Sequence, residues 1–266
     1  MIKAKKQFGQ NFLKSEYYKD KIIESMPNSD NIIVEVGPGL GDLTEKLLKK
    51  RATVAIEIDD RLHQGLRVKF HKELTEGRFK LICGDAMELR EKGEFIKEPY
   101  DLVANLPYYI ATAIILDALR DRNCRNILVM VQKEVAQKFT AAPKTKEYSS
   151  LSILASMVGT ARALFDVPKE AFVPMPKIVS SVFEIRKNDN EFNEEFASFL
   201  KIAFSQPRKK LFTNLALKFD KDILEKSFQA LSLNDSVRPH EVEALLFFRL
   251  FSKIMGKKDY DDGREF

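Results

Sequence analysis

Ile33-Val34-Glu35-Val36-Gly37-Pro38-Gly39-Leu40-Gly41 is a β-branched run that ends in a glycine-rich turn. Such a run reads as a strand buried on both faces, and the turn hands the chain to a helix pattern over residues 40–50. Gly37 and Gly39 allow backbone to approach where a side chain would obstruct. The spacing is G-x-G-x-G followed by Asp42, so the dinucleotide fingerprint G-x-G-x-x-G is not met. A pyrophosphate against the helix start is therefore disfavoured. The strand–helix rhythm continues outward from this turn. Residues 54–58, 79–83, 102–105 and 126–131 read as further strands, with helix patterns over 60–70 and 110–120. That alternation predicts an α/β fold built on a doubly wound, mostly parallel sheet. Residues 161–167 and 179–186 read as two more strands around Pro168, Pro174 and Pro176, which suits an antiparallel pair at one edge.

Past Arg186 the polar stretch Lys187-Asn188-Asp189-Asn190 leads into helix patterns over 194–204, 208–218, 221–230 and 241–255. The expected organisation is a sheet domain over 1–186 and a small all-α domain over 187–266. The chain has 266 residues, 44 Lys+Arg against 39 Asp+Glu, and a net charge of +5, an excess that permits a polyanionic partner without requiring one. With two cysteines, three histidines and no C-x-x-C, a zinc-finger or disulfide scaffold is excluded and no metal site is expected. His240-Glu241-Val242-Glu243-Ala244 opens like H-E-x-x-H but lacks the second histidine. No P-loop, no G-x-S-x-G elbow, no membrane-length apolar run and no signal-peptide core occur. A reducing cytoplasmic setting is expected.

The chemistry sits where strands should end. Glu57 falls twenty residues after Gly37, at the end of the second strand. In a doubly wound sheet that point lies beside the first glycine turn, where a carboxylate can accept both hydroxyls of a ribose. Asp85, in Cys83-Gly84-Asp85-Ala86, ends the third strand and can accept an exocyclic adenine amine. A nucleoside site without a phosphate site suits S-adenosylmethionine better than NAD. Asn105-Leu106-Pro107-Tyr108 ends the fourth strand. Pro107 forces Leu106 out of helical geometry and turns a main-chain carbonyl toward the cleft. The Asn105 side-chain carbonyl and the Leu106 backbone carbonyl can each accept one hydrogen of an adenine N6 amine, and Tyr108 offers a stacking face.

These motifs together resemble the class I adenine-N6 methyltransferases. More narrowly, Lys6-Gln7-Phe8-Gly9-Gln10-Asn11-Phe12-Leu13 and Phe172-Val173-Pro174-Met175-Pro176-Lys177-Ile178-Val179-Ser180-Ser181 resemble the opening and late motifs of the KsgA-type ribosomal RNA adenine dimethyltransferases. The resemblance runs from about Lys5 to about Ile254. It implies a Rossmann-like methyltransferase sheet using S-adenosylmethionine. The implied cofactor residues are Asn11 and Leu13 at the methionine end, Gly37 and Gly39 beneath it, Glu57 on the ribose, Ile58, Asp85 and Ala86 around the adenine, and Asn105. It further implies that Phe172 faces Tyr108 across a flipped adenine. The implied reaction is N6,N6-dimethylation of two adjacent adenosines in the 3′-terminal hairpin loop of small-subunit rRNA within a 30S particle, by a monomer, with a role in subunit biogenesis. Lys5, Lys6, Arg208, Lys209 and Lys210 read alone as short solvated charge runs, and the resemblance makes them phosphate contacts. Two positions depart from the pattern: Tyr109 stands where many members carry Asn, and Pro207 replaces an arginine of the basic segment. Two alternatives share these motifs: an Erm-type methylase of large-subunit rRNA, and an assembly factor whose binding is separable from its chemistry.

Overall fold

The computed structural model describes residues 10–93 and 95–257. Its strands are β1 (Phe12–Leu13), β2 (Ile32–Val36), β3 (Thr53–Glu57), β4 (Phe79–Cys83), β5 (Tyr100–Asn105), β6 (Cys124–Gln132), β7 (Gly159–Val167), β8 (Phe172–Val173) and β9 (Ser180–Lys187). Seven form one sheet in the order β4-β3-β2-β5-β6-β9-β7, and β1 pairs with β8 as a separate antiparallel ribbon. β2 through β6 pair in parallel, and β9 runs antiparallel to β6 one place in from the edge strand β7. The strand order reverses at β2, with β3 and β4 on one side and β5 and β6 on the other. Ligands of open α/β sheets bind at such a switch point, beyond the carboxyl ends of the strands.

The helix after the glycine turn is shorter than the pattern predicts, spanning only Thr44–Leu48. Gly39 and Gly41 hold φ at +63° and +75°, a left-handed geometry that cannot start a right-handed helix. The chain therefore spends residues 38–43 in turns, closed by Gly41 N–H donating to the Pro38 carbonyl at 2.9 Å. No long helix begins on the glycine turn to receive a phosphate.

The opposite edge of the sheet is pinned by a buried ion. Asp101 is fully buried and accepts from Arg51 Nη1 (2.6 Å), Ser29 Oγ (2.6 Å), Asn126 Nδ2 (2.7 Å) and Asn31 Nδ2 (3.2 Å). These groups come from the amino-terminal ends of β2, β3, β5 and β6, so one carboxylate ties four strands. Asp101→Ala would leave the Arg51 guanidinium unpaired in a mostly buried position. The expected loss is ~3–5 kcal/mol of unfolding free energy in urea titration. A loss under about 1 kcal/mol would show that Arg51 finds water or another partner.

The chain divides into two compact units. One comprises the described residues up to 136 together with 162–188, and the other comprises 137–161 together with the described residues from 189 onward. The expected division placed 137–161 in the sheet domain. Instead the apolar helix Ser150–Val158 packs on the helices Glu194–Ala203 and Ala244–Ile254. Its start is fixed by Ser152 Oγ, which donates to the Lys138 carbonyl at 2.7 Å. The second unit is otherwise as the helical pattern predicts, with a core of stacked and tilted phenylalanines including Phe196, Phe199 and Phe251. Its second expected helix shortens to Leu211–Leu215, and its last begins at Ala244 after a 3₁₀ turn over Pro239–Glu241. Among the described residues no helix is long and apolar enough to cross a membrane.

Candidate functional site

Parallel pairing brings the carboxyl ends of β2, β3, β4 and β5 to one edge, where they surround an open cleft. Asn11, Leu13, Gly37, Gly39, Glu57, Ile58, Asp85, Ala86, Asn105, Leu106, Pro107 and Tyr108 all line it. Sequence reasoning thus assembled one site from four strand ends and one preceding segment.

The glycines serve the chain's own packing. A Cβ on Gly37 would lie 3.2 Å from Cγ of Pro107, and one on Gly39 would lie 3.0 Å from the Phe12 ring. Both glycines also hold positive φ. Missing Cβ atoms therefore let the Asn-Leu-Pro-Tyr turn and the opening segment close onto the glycine turn. The opening segment is fastened at each end. Gln10 Nε2 donates to Asp59 Oδ2 (3.3 Å), Phe12 and Leu13 pair with Val173 and Phe172, and Lys14 N–H donates to the Ala171 carbonyl (2.8 Å).

Glu57 is buried and its carboxylate is already oriented. Oε2 accepts from Gly39 N–H at 3.1 Å and Oε1 from Asp59 N–H at 2.9 Å. Burial pushes its pKa up, and these backbone donors oppose that rise. Each oxygen keeps a second lone pair for a ligand hydroxyl. Asp59, the N-cap of the helix Asp60–Lys69, is held at about 2 chiefly by the Arg61 guanidinium on its carboxylate. Asp85 caps the helix Ala86–Glu91 through Oδ1, which accepts from Met87 N–H at 2.8 Å. That leaves Oδ2 and the first-turn N–H of Ala86 for a ligand edge, since N–H groups of a first turn have no intrahelical acceptor.

Asn105 donates Nδ2–H to the Asn11 carbonyl at 3.2 Å. Because Nδ2 is committed to that acceptor, Oδ1 is the acceptor end presented on the other side. Leu106 is 1% exposed and lines the cleft wall. Tyr108 is half-buried, and its hydroxyl shares a 2.7 Å hydrogen bond with Ser180 Oγ, which leaves the ring to line the cleft. Burial raises the Tyr108 phenol pKa.

Phe172 requires a correction. It was expected across the cleft from Tyr108, but it is 2% exposed and belongs to the hydrophobic core with Leu13, Leu43 and Val103. Alternation along β1 and β8 explains this. Leu13 and Phe172 are register partners that face the core together, while Phe12 and the exposed Val173 face the other way.

Arg208, Lys209 and Lys210 are exposed in the turn before Leu211–Leu215, in the helical unit. Lys5 and Lys6 lie outside the described residues. Sequence reasoning assigned no role to Ser180, Tyr109 or Glu35. Ser180 anchors Tyr108, and its only signal was its place in the late motif. Tyr109 is exposed and lines the cleft, its phenol pushed up by burial and by the charges of Asp85 and Glu57. Glu35 also lines the cleft, fully buried on β2, and Thr44 Oγ1 donates to its Oε2 at 2.6 Å. An acid in a strand read as buried on both faces was the available signal.

Burial pushes the Glu35 pKa from 4.5 up to about 8, against the lowering effect of the Thr44 hydrogen bond. The folded chain then binds a proton that the unfolded chain releases, so stability falls as pH rises between about 4.5 and 8. Each pH unit inside that window should cost up to about 1.4 kcal/mol. In Glu35→Gln, which keeps the acceptor for Thr44, urea titrations at several pH values should give a visibly shallower slope. An unchanged slope would mean that Glu35 ionises alike in both states.

Known proteins share this chain's sequence and fold. A sequence profile described as ribosomal RNA adenine dimethylase matches residues 1–255. The chain is 50% identical over 256 residues to the ribosomal RNA small subunit methyltransferase A of Aliarcobacter butzleri, covering 95% of this chain and 97% of that protein. It is likewise 50% identical over 250 residues to the protein of the same name from Sulfurimonas denitrificans, covering 94% and 93%. Among solved structures, a dimethyladenosine transferase from Plasmodium falciparum superposes with a TM-score of 0.73 at 26% identity, covering 90% of this chain and 95% of that one. The 23S rRNA methyltransferase ErmE superposes at 0.71 with 22% identity, covering 92% and 100%, a likeness of fold. The chain belongs to the ribosomal RNA adenine dimethylase family.

Proposed function

We propose that the protein transfers methyl groups from S-adenosylmethionine to N6 of two adjacent adenosines in the 3′-terminal hairpin loop of small-subunit rRNA, presented on a 30S particle or its precursor. The observation that carries this reading is the Asn105 amide, turned by the Asn11 carbonyl so that Oδ1 is free to accept, beside a cleft that holds Glu57 and Asp85. The donor set fits the cofactor: Glu57 for ribose hydroxyls, Asp85 Oδ2 and Ala86 N–H for the adenine edge, Ile58 against the base, and Asn11, Leu13, Gly37 and Gly39 around the methionine end. When bound, S-adenosylmethionine supplies an electrophilic methyl group whose sulfonium leaves as a neutral thioether.

The chain's own residues then position the amine. Asn105 Oδ1 and the Leu106 carbonyl accept one N6 hydrogen each, which pulls the nitrogen toward tetrahedral geometry and localises its lone pair. Pro107 fixes the angle between those two carbonyls. Tyr108, steadied by Ser180, supplies a stacking face for the flipped base. Such catalysis is positioning and hydrogen bonding, worth several orders of magnitude when the acceptors are preorganised. Arg208, Lys209 and Lys210, with Lys5 and Lys6, fit phosphate contacts that orient the RNA without reading its sequence. Action as a monomer in the cytoplasm is part of the same proposal.

Mass spectrometry of rRNA fragments decides the reading, after purified subunits lacking the modification are incubated with the protein and cofactor. Dimethyladenosine in the 3′-terminal fragment of the small-subunit RNA supports it, and label confined to the large subunit refutes it. Arg208→Ala combined with Lys209→Ala should weaken RNA binding and flatten the plot of log affinity against log salt by up to about 2 in slope. An identical slope would place the RNA elsewhere on the protein.

A further inference from the structure

A second cluster of chemistry lies where the helix leaving β3 passes the end of β4. Asp60 carboxylate, His63 imidazole and Cys83 sulfur atoms all lie within 4.8 Å of one another. Topology explains their meeting. The parallel register sets Glu57 beside Cys83, so the chain leaving β3 starts the helix Asp60–Lys69 next to the end of β4. Asp60 and His63 are three positions apart on that helix and share a face. One carboxylate, one imidazole and one thiol are supplied by two elements that the sheet already fixes.

We propose that Asp60, His63 and Cys83 form a binding site for a borderline-soft divalent cation of the zinc class, with solvent completing the coordination. The absence of C-x-x-C and of H-E-x-x-H concealed this set, because its donors are separated in sequence and join only through strand pairing. The mixture of O, N and S donors suits zinc and excludes magnesium or calcium, which take oxygen ligands. Tetrahedral coordination would place the donors about 3.3–3.6 Å apart. Closing from separations of up to 4.8 Å asks only for side-chain rotation at Asp60 and Cys83, which are exposed. Gln64 Nε2 donates to Asp60 Oδ2 at 2.8 Å, which steadies the carboxylate and leaves Oδ1 for the ion.

The test uses the full-length chain, reduced and treated with chelator, and titrates it with cobalt(II) as a spectroscopic stand-in for zinc. One equivalent should bind with a near-ultraviolet thiolate-to-cobalt charge-transfer band, and zinc should displace it. Cys83→Ser should abolish the band. Loss of an outer-shell partner alone costs roughly 10–100-fold in metal affinity, so His63→Ala should weaken binding by at least about 100-fold. Cys124→Ala, which removes the buried thiol on β6, should keep the band. Circular dichroism melts establish that each variant is folded. A wild-type chain without the charge-transfer band at saturating cobalt overturns the proposal. So does a band that survives in Cys83→Ser, or an affinity that His63→Ala leaves unchanged.

Discussion

Asn105→Ala should lower the turnover number for methyl transfer by ~10²–10³-fold while the RNA affinity stays within a few-fold. The side chain performs two jobs through its two ends. Oδ1 is the acceptor proposed for an N6 hydrogen, and Nδ2–H is spent on the Asn11 carbonyl. Removing both loses an acceptor needed most as the amine pyramidalises, and loosens one tether of the opening segment. The first loss belongs to turnover and the second to cofactor affinity. A neutral hydrogen bond contributes about 0.5–1.5 kcal/mol, so the cofactor dissociation constant should rise only about 2- to 12-fold. Single-turnover kinetics with saturating cofactor separates the two effects. Turnover within about threefold of wild type would remove Asn105 from the chemistry and leave it only the tether.

Glu57→Ala should weaken S-adenosylmethionine binding by at least about 100-fold, read by calorimetry. Two hydrogen bonds from ribose to an ionised acceptor are worth about 1.5–3 kcal/mol each. The substitution also strips Gly39 N–H and Asp59 N–H of their acceptor at a buried position. Glu57→Gln should be nearly as damaging, which distinguishes this site from a simple charge requirement. Both backbone groups are donors, and a glutamine amide has only one accepting end. Its NH₂ would face one of the two N–H groups. Wild-type affinity in Glu57→Gln would mean that the carboxylate does not take the ribose.

β2, β3 and β5 were legible because they are apolar runs almost wholly buried, ending at Gly37, Glu57 and Asn105, where the pattern stops. Glu57, Asp85 and Asn105 were legible for the same reason: parallel pairing turns the ends of sequential strands into neighbours in space. The helix start after Gly41 was not, since residue pattern does not report the sign of φ. Phe172 failed because a motif fixes a position in the chain, whereas the facing direction is set by which partner β8 meets. The grouping of 137–161 with the helical unit was also hidden. An amphipathic helix announces that it needs a core, but not which one. The Asp60–His63–Cys83 group became visible only when strand register placed distant residues side by side.

The bond from Asn105 to Asn11 has a consequence for the order of events. One amide both carries the acceptor proposed for the target base and holds the segment that lies against the glycine turn. The acceptor geometry proposed for a base is therefore complete only while that bond is made. On the proposed reaction, two dimethylated adenosines consume four donor molecules, so spent donor must be exchanged for fresh beside segment 10–13 between transfers. Were that bond to break during the exchange, the proposed Asn105 acceptor would lose its orientation and regain it before the next transfer. A partly methylated RNA held by phosphate contacts elsewhere can wait through that cycle, whereas one held by its base alone would be released.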